Sequence, residues 1–265
     1  MRPTLRRIKI VFIALPLLSL FLISCTLSEE SRTTTSRSTK VYIDKTKGQW
    51  PRRNLIKALQ AFEREFDRIK DQRQLVAADL GAGAGNETIF LIEKGWKVIA
   101  IDIDPYSIET INDRFQELQS LQGDGSKAKL GSLDARLVSM QKMVLEPFSL
   151  DLVNASLSLP FVPRSEMKEV WNNIIEALRV GGVFTGHFFG SEHGWRNRLR
   201  MSFYSEKEIY KEFLDDYSLR IESFSEMKSD APTAAGGTVF FHTFTVIAQK
   251  TDDHYKRNTR GMNPY

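Results

Sequence analysis

Between residues 50 and 250 the apolar positions recur with two different periods, and each change of period marks an element. Leu55, Leu59, Phe62, Phe66 and Ile69 follow one another at steps of four, three, four and three, which predicts a helix over about 51–70 with Pro51 in its first turn. A short apolar run predicts a strand at 75–80, a helix over 85–94 is stopped by Gly95, and a second strand spans 97–102. Ile108, Ile111, Phe115 and Leu118 share one face of a helix over 105–121. Beyond a polar loop at 122–131, Ala135–Met140 and Leu150–Ser156 read as buried strands. Met167, Val170, Trp171, Ile174, Ile175 and Leu178 mark a helix over 164–179, with Gly181 and Gly182 as its stop. Val183–Phe189 predicts a fifth strand, Ser205 and Glu208 form a capping box that opens a helix to about Asp216, and Leu219–Phe224 and Val239–Ala248 predict the last two strands. This alternation implies an α/β domain: a mostly parallel seven-stranded sheet with helices on both faces, binding ligands at the carboxyl ends of its strands. The long last strand is reached by a loop and not a helix, so it is expected to be antiparallel.

The first 25 residues break the pattern. Arg2, Arg6, Arg7 and Lys9 make a basic start, Ile10 to Ser24 is an apolar run of fifteen, and Leu22-Ile23-Ser24-Cys25 closes it. Fifteen residues are short for a membrane span and suit a secretory signal. The segment resembles a bacterial lipoprotein signal, which implies that Cys25, the sole cysteine, becomes the lipidated first residue of the mature chain. An uncleaved anchor is the alternative, and either places the domain outside the cytoplasm, at the cell envelope. The expected organisation is a signal at 1–24, Cys25 with a flexible tether at 25–48, a folded domain at 49–250 and a polar tail at 251–265. Charge changes meaning with it: the chain has 37 Lys and Arg against 33 Asp and Glu, and without the four basic residues of 1–24 the two balance. The sequence therefore gives no support to a nucleic-acid partner, which calls for a basic face.

Chemistry concentrates at Asp79-Leu80-Gly81-Ala82-Gly83-Ala84-Gly85-Asn86, between the first strand and the helix after it. Glycines at alternate positions let the chain turn sharply and bring a ligand close to the backbone. The spacing G-x-G-x-G differs from the G-x-G-x-x-G of dinucleotide loops, and Asp79 would repel a pyrophosphate, which argues against a nicotinamide cofactor. An ammonium-bearing, phosphate-free nucleoside suits it, and S-adenosylmethionine is one. Asp102, at the end of the second strand, is placed to accept from both ribose hydroxyls.

From these motifs the chain resembles, over about residues 50–250, the class I S-adenosylmethionine-dependent methyltransferases with their Rossmann-like fold. Asp79–Thr88 with Gly95–Asp102, then Leu152–Phe161 and Gly186–Gly190 followed by Trp195 and Met201–Phe203, are similar to the small-molecule branch that includes tellurite-resistance methyltransferases. The resemblance implies that Asp79 and the backbone of Gly81, Ala82 and Gly83 hold the methionine part, that Asp102 holds the ribose, that Ile103 packs on the adenine, and that Asn86 is also a cofactor-binding residue. Where family members carry a carboxylate for the adenine amino group, this chain has Ser139-Met140, a weaker acceptor. Asn154, beside both cofactor and acceptor, and His187 are the candidate catalytic residues; His187 would act as a base, orient the acceptor, or merely pack. Asn154-Ala155-Ser156-Leu157 is not the Asn-Pro-Pro-aromatic tetrad of enzymes that methylate amino nitrogens. Ser156, Phe188, Trp195, Arg196 and Phe203 are the candidate substrate residues. Arg196, Arg198 and Arg200 either attract an anion or form a solvated loop, and the four histidines lack metal-ligand spacing.

Two functions follow. One is a lipid-anchored methyltransferase for a small acceptor; the other is a lipoprotein of the same fold that binds a ligand or partner without catalysis, since S-adenosylmethionine is made in the cytoplasm. Oligomeric state stays open.

Overall fold

The computed structural model describes residues 39–69, 73–121, 130–215, 217–233 and 236–251. The expected signal, Cys25, most of the tether and nearly all of the polar tail lie outside the described residues. Residues 39–46 form a helix, α1, followed by α2 (Arg53–Ile69). Then come β1 (Val76–Leu80), α3 (Asn86–Glu93), β2 (Lys97–Asp102), α4 (Pro105–Leu121), β3 (Ser132–Leu137) and β4 (Leu150–Ala155). The chain finishes with α5 (Arg164–Ala177), β5 (Leu178–Gly190), β6 (Phe203–Tyr204), α6 (Glu206–Ile209), β7 (Leu219–Pro232) and β8 (Thr238–Lys250).

The strands form one sheet in the order β3-β2-β1-β4-β5-β8-β7, with β6 paired to β5 off this path. β1 to β5 run parallel, and β8 is antiparallel to both β5 and β7. This is the expected mostly parallel α/β sheet with an antiparallel final strand, plus one short strand that two residues are too few to announce. Alternation along the strands sends Ala78, Leu80, Val153, Ala155, Phe184 and Phe188 to one face, under α5 and its Trp171. Ala77, Val98, Leu152, Val183 and Ile247 go to the other, where Leu55, Ala58, Leu59 and Phe62 of α2 and Ile89, Leu91 and Ile92 of α3 cover them. Helices thus seal both faces and leave the strand ends open.

Several boundaries move, each for a physical reason. α5 ends at Ala177, and Leu178 already pairs with Leu150, so Gly181 (φ 86) bends a strand rather than capping a helix. The capping box is present: Ser205 Oγ accepts from Glu208 N, and the Glu208 carboxylate accepts from Ser205 N at 2.7 Å. The helix it opens widens after Ile209 into a π-helical turn over Tyr210–Leu214. β7 continues to Pro232, eight residues past the expected end, because Lys228 to Pro232 pair with β8 residues Thr238 to His242 as a two-stranded arm with no apolar alternation to betray it. Residues 39–48 are no tether: Ile43 is buried and the segment is bonded into the domain. Among the described residues no helix is long and apolar enough to cross a membrane.

Candidate active site

The carboxyl ends of β1, β2 and β4 meet at the glycine loop. Gly81, Gly83 and Gly85 have φ of 68°, 55° and 73°, a region that costs other residues about 1–2 kcal/mol. At Gly81 a Cβ would also lie 2.4 Å from Ser158 Cβ. The loop spends its amides on the protein: Gly81 N and Ala82 N donate to Ile101 O, Gly83 N to Asp102 Oδ2 at 2.8 Å, and Gly85 N to Ala82 O. A pyrophosphate needs amide donors, and these four are taken, so the loop suits a ligand without phosphates. Asp102 receives one backbone donor on each oxygen, from Gly83 and from Asp104 N at 2.9 Å, and each oxygen keeps a lone pair for a hydroxyl. Burial raises the pKa of this carboxyl. Ile103 is 73% exposed at the strand's end, free to meet a flat ring. Met140 reaches back over the loop, its Cε 3.2 Å from where a Gly81 Cβ would stand, and half-buried Ser139 precedes it. This donor and acceptor set fits S-adenosylmethionine.

Asp79 stands beneath the loop and not in the open cleft. It is 2% exposed; its Oδ2 accepts from Thr88 Oγ1 at 2.6 Å and its Oδ1 from Asn154 Nδ2 at 2.7 Å. Burial, with Glu87 nearby, raises its pKa to about 7. Register explains the pairing. Asp79, Asn154 and Thr185 are direct neighbours across β1, β4 and β5, so they form one polar row on the α2 and α3 face. Asn54 of α2 closes the row by donating to Ser156 Oγ at 2.9 Å and Thr185 Oγ1 at 3.0 Å, while Ser156 Oγ donates to Asn154 Oδ1.

That geometry corrects several sequence expectations. Asn154 is 1% exposed with both ends of its amide engaged, so it is a positioning residue and not a catalytic one. Asn86 lines the cleft, but its amide is engaged by the protein: its Oδ1 accepts from Gly48 N and Arg114 Nη1 and its Nδ2 donates to Thr46 O, which ties α1 down. His187 accepts from Leu157 N on Nδ1 at 3.2 Å, which puts its ring proton on Nε2; burial, with Arg52 adding to it, lowers its pKa to about 3. It is a neutral donor, not a proton acceptor. Phe188 is 1% exposed in the core with Trp171, Tyr204 and Phe213, on the face opposite the polar row. Trp195 and Phe203 pack around His193, and Arg196 lies exposed in the same loop; the cleft is not lined by any of the three. Ser156 does line it.

Sequence reasoning missed the other wall. Tyr42, Thr46, Gln49, Trp50 and Arg52 line the cleft opposite Gly81–Ala84, and Arg52 N donates to Glu87 Oε1. It also missed Asn54 and Thr88. One signal was available for Asn54, which shares a helical stripe with Ala58 and Ala61, all three buried. Among the described residues no group of three His, Cys, Asp or Glu stands close enough to hold a metal ion.

Comparison with known proteins agrees with this geometry. Residues 78–184 match the family model described as a methyltransferase domain. A probable ribosomal RNA small subunit methyltransferase A from Methanococcoides burtonii is 31% identical over 104 residues, which is 37% of this chain. The chain spans 38% of the length of that relative. A solved S-adenosylmethionine-dependent methyltransferase from Methanosarcina mazei superposes with a TM-score of 0.51 at 18% identity, covering 70% of this chain and 97% of that one. TehB from Haemophilus influenzae gives 0.54 at 16% identity, covering 72% of this chain and 62% of its own. The two structures establish the fold. Over residues 78–184 the chain is thus similar to a methyltransferase domain.

Proposed function

We propose that the protein transfers a methyl group from S-adenosylmethionine to a small acceptor and is held at the cell envelope by a lipid on Cys25. The observation that carries the first part is the glycine loop with Asp102 locked to Gly83, a ribose acceptor built into a turn whose amides are closed to phosphate. A small acceptor is supported by the second wall: Tyr42, Thr46 and Trp50 stand over the loop and narrow the approach. The lipid reading rests on the Leu22–Cys25 tetrad after its apolar run.

The cofactor supplies an electrophilic methyl on a sulfonium, so holding the acceptor in line does most of the work required. The carbonyls of Gly81 and Gly83, with the Asp79 carboxyl below them able to give up its proton, suit an ammonium group; Asp102 takes the ribose, Ile103 and Met140 the adenine. The polar row from Asn54 to Thr88 fixes the loop from beneath. His187, kept neutral by burial and holding Leu157 N on its Nδ1, supports the turn beside Ser156 and is not the base of this reading.

Calorimetric titration of the purified chain with S-adenosylmethionine and with NAD tests the cofactor; heat with the first alone is expected, and Asp102→Ala should abolish it. Absence of heat up to about millimolar ligand would sink the enzyme reading and leave a binding lipoprotein. Labelling with a palmitate analogue, with Cys25→Ser as control, tests the anchor, and unchanged labelling in the variant refutes it. Methylation of RNA is the second reading, favoured by the relative named above; transfer to structured RNA but to no small acceptor would replace the first.

A further inference from the structure

The same edge of the sheet carries residues that methyl transfer leaves unused. The loop after β5 presents Arg196, Asn197, Arg198, Leu199 and Arg200 as five consecutive exposed residues. Its root is packed. His193 is buried and stacks on Phe189 with ring centroids 3.9 Å apart, Gly194 N donates to Phe240 O, and Ser202 N donates to Pro160 O. Glu192, the acid at the root, is engaged by Lys228 at 2.6 Å. The Arg198 guanidinium lies over the Trp195 ring, and Arg196 and Arg200 make no ion pair among the described residues. Between these cations Leu199 is 100% exposed, and at the cleft mouth Trp50 is 86% exposed. Lys45 and Lys47 are exposed on α1 and the turn after it, the segment that crosses the glycine loop.

A lone leucine held out between three arginines gains nothing in water. At a lipid surface each part has a partner: guanidinium groups pair with phosphates, an apolar tip enters the acyl boundary, and a tryptophan ring sits at headgroup level. We propose that this edge faces an anionic phospholipid surface, with Arg196, Arg198 and Arg200 on phosphate groups and Leu199 and Trp50 in the headgroup region. The course of the chain supports it, because the folded domain begins at Thr39 in α1, on this edge, with residues 1–38 leading back to the apolar run and Cys25. The inference rests on the envelope reading above for its setting.

The test uses the full chain in vesicles of neutral phosphatidylcholine and in vesicles that also contain phosphatidylglycerol. At about fivefold in partitioning per arginine, three give on the order of a hundredfold preference of the loop for the anionic surface. Hydrogen exchange of residues 195–201 is expected to slow on the anionic vesicles alone and to recover at high salt. Replacing the three arginines by glutamine should remove the protection, and Leu199→Ser, at a side chain that packs on nothing, should weaken it. Brominated lipid should quench tryptophan fluorescence, and Trp50→Phe should remove most of that quenching. Equal exchange on both vesicles, or protection that survives the glutamine variant, overturns the proposal. So does protection by single-stranded RNA in the absence of any vesicle effect, which would assign the patch to nucleic acid. Loss of palmitate labelling at Cys25 is a separate readout and reports on the anchor alone.

Discussion

Asp79→Asn should stabilise the protein at pH 8 and change little near pH 4. The Asp79 carboxyl titrates at about 7 in the fold against 3.8 for the free group, chiefly because burial disfavours its charge and secondarily because Glu87 is near. The folded state therefore holds this proton more tightly than the unfolded state does. The contribution to stability is complete below about 3.8 and is lost as pH rises through about 7. A shift of roughly three units at 1.36 kcal/mol each sets an upper bound of about 4 kcal/mol. Asparagine carries no charge and can keep both contacts, accepting from Asn154 Nδ2 and donating to Thr88 Oγ1. Urea unfolding of both proteins between pH 5 and pH 8.5 gives a difference that isolates the group. It should widen in favour of the variant by about 1.4 kcal/mol per pH unit and then level off. A difference that stays flat, or that favours the wild type increasingly as pH rises, would refute the reasoning. The same carboxyl should lose its proton when a cationic ligand settles above it. Calorimetry near pH 6.5 in buffers of unlike ionisation enthalpy should show proton release with the wild type and none with the variant.

His187→Gln should keep activity within about tenfold, since its amide can accept from Leu157 N and still donate, whereas His187→Ala strands that half-buried amide at a cost of about 1 kcal/mol in stability. Equal loss in both variants, or a kcat limb at ordinary histidine pH that vanishes in the glutamine variant, would restore the base role. Ser139→Asp, supplying a charged acceptor for the adenine amino group, should tighten S-adenosylmethionine by about 1 kcal/mol, roughly fivefold in Kd; unchanged affinity would place the adenine elsewhere. Gly81→Ala should cost about 2–4 kcal/mol through its left-handed φ and its clash with Ser158, read by thermal unfolding.

Local signals made the first half of the fold legible. β1, α3, β2 and α4 are each bounded by a change of period, and the glycine loop and Asp102 sit at those changes. Harder to see was anything set by register. Asp79 and Asn154 are 75 positions apart, and only the parallel pairing of β1 with β4 makes them neighbours. Parity was available and unused for Phe188: in β5 it shares a face with Phe184 and the α5 core, while His187 shares a face with Thr185. The wall at 42–52 was hidden because Ile43 alone on α1 is fully buried; one anchor makes no period. The polar arm of β7 was hidden likewise, because its pairing is carried by backbone.

The placement of α1 sets where this protein can be shortened. The apolar pattern begins at Trp50, and a soluble version designed from it would start there. Such a cut would remove Tyr42, Ile43 and Thr46, take away the Thr46 and Gly48 partners of Asn86, and leave one side of the cleft unbuilt. A protease clipping the exposed stretch before Trp50 would separate the same wall from the rest of the cleft. Expression boundaries belong ahead of Thr39.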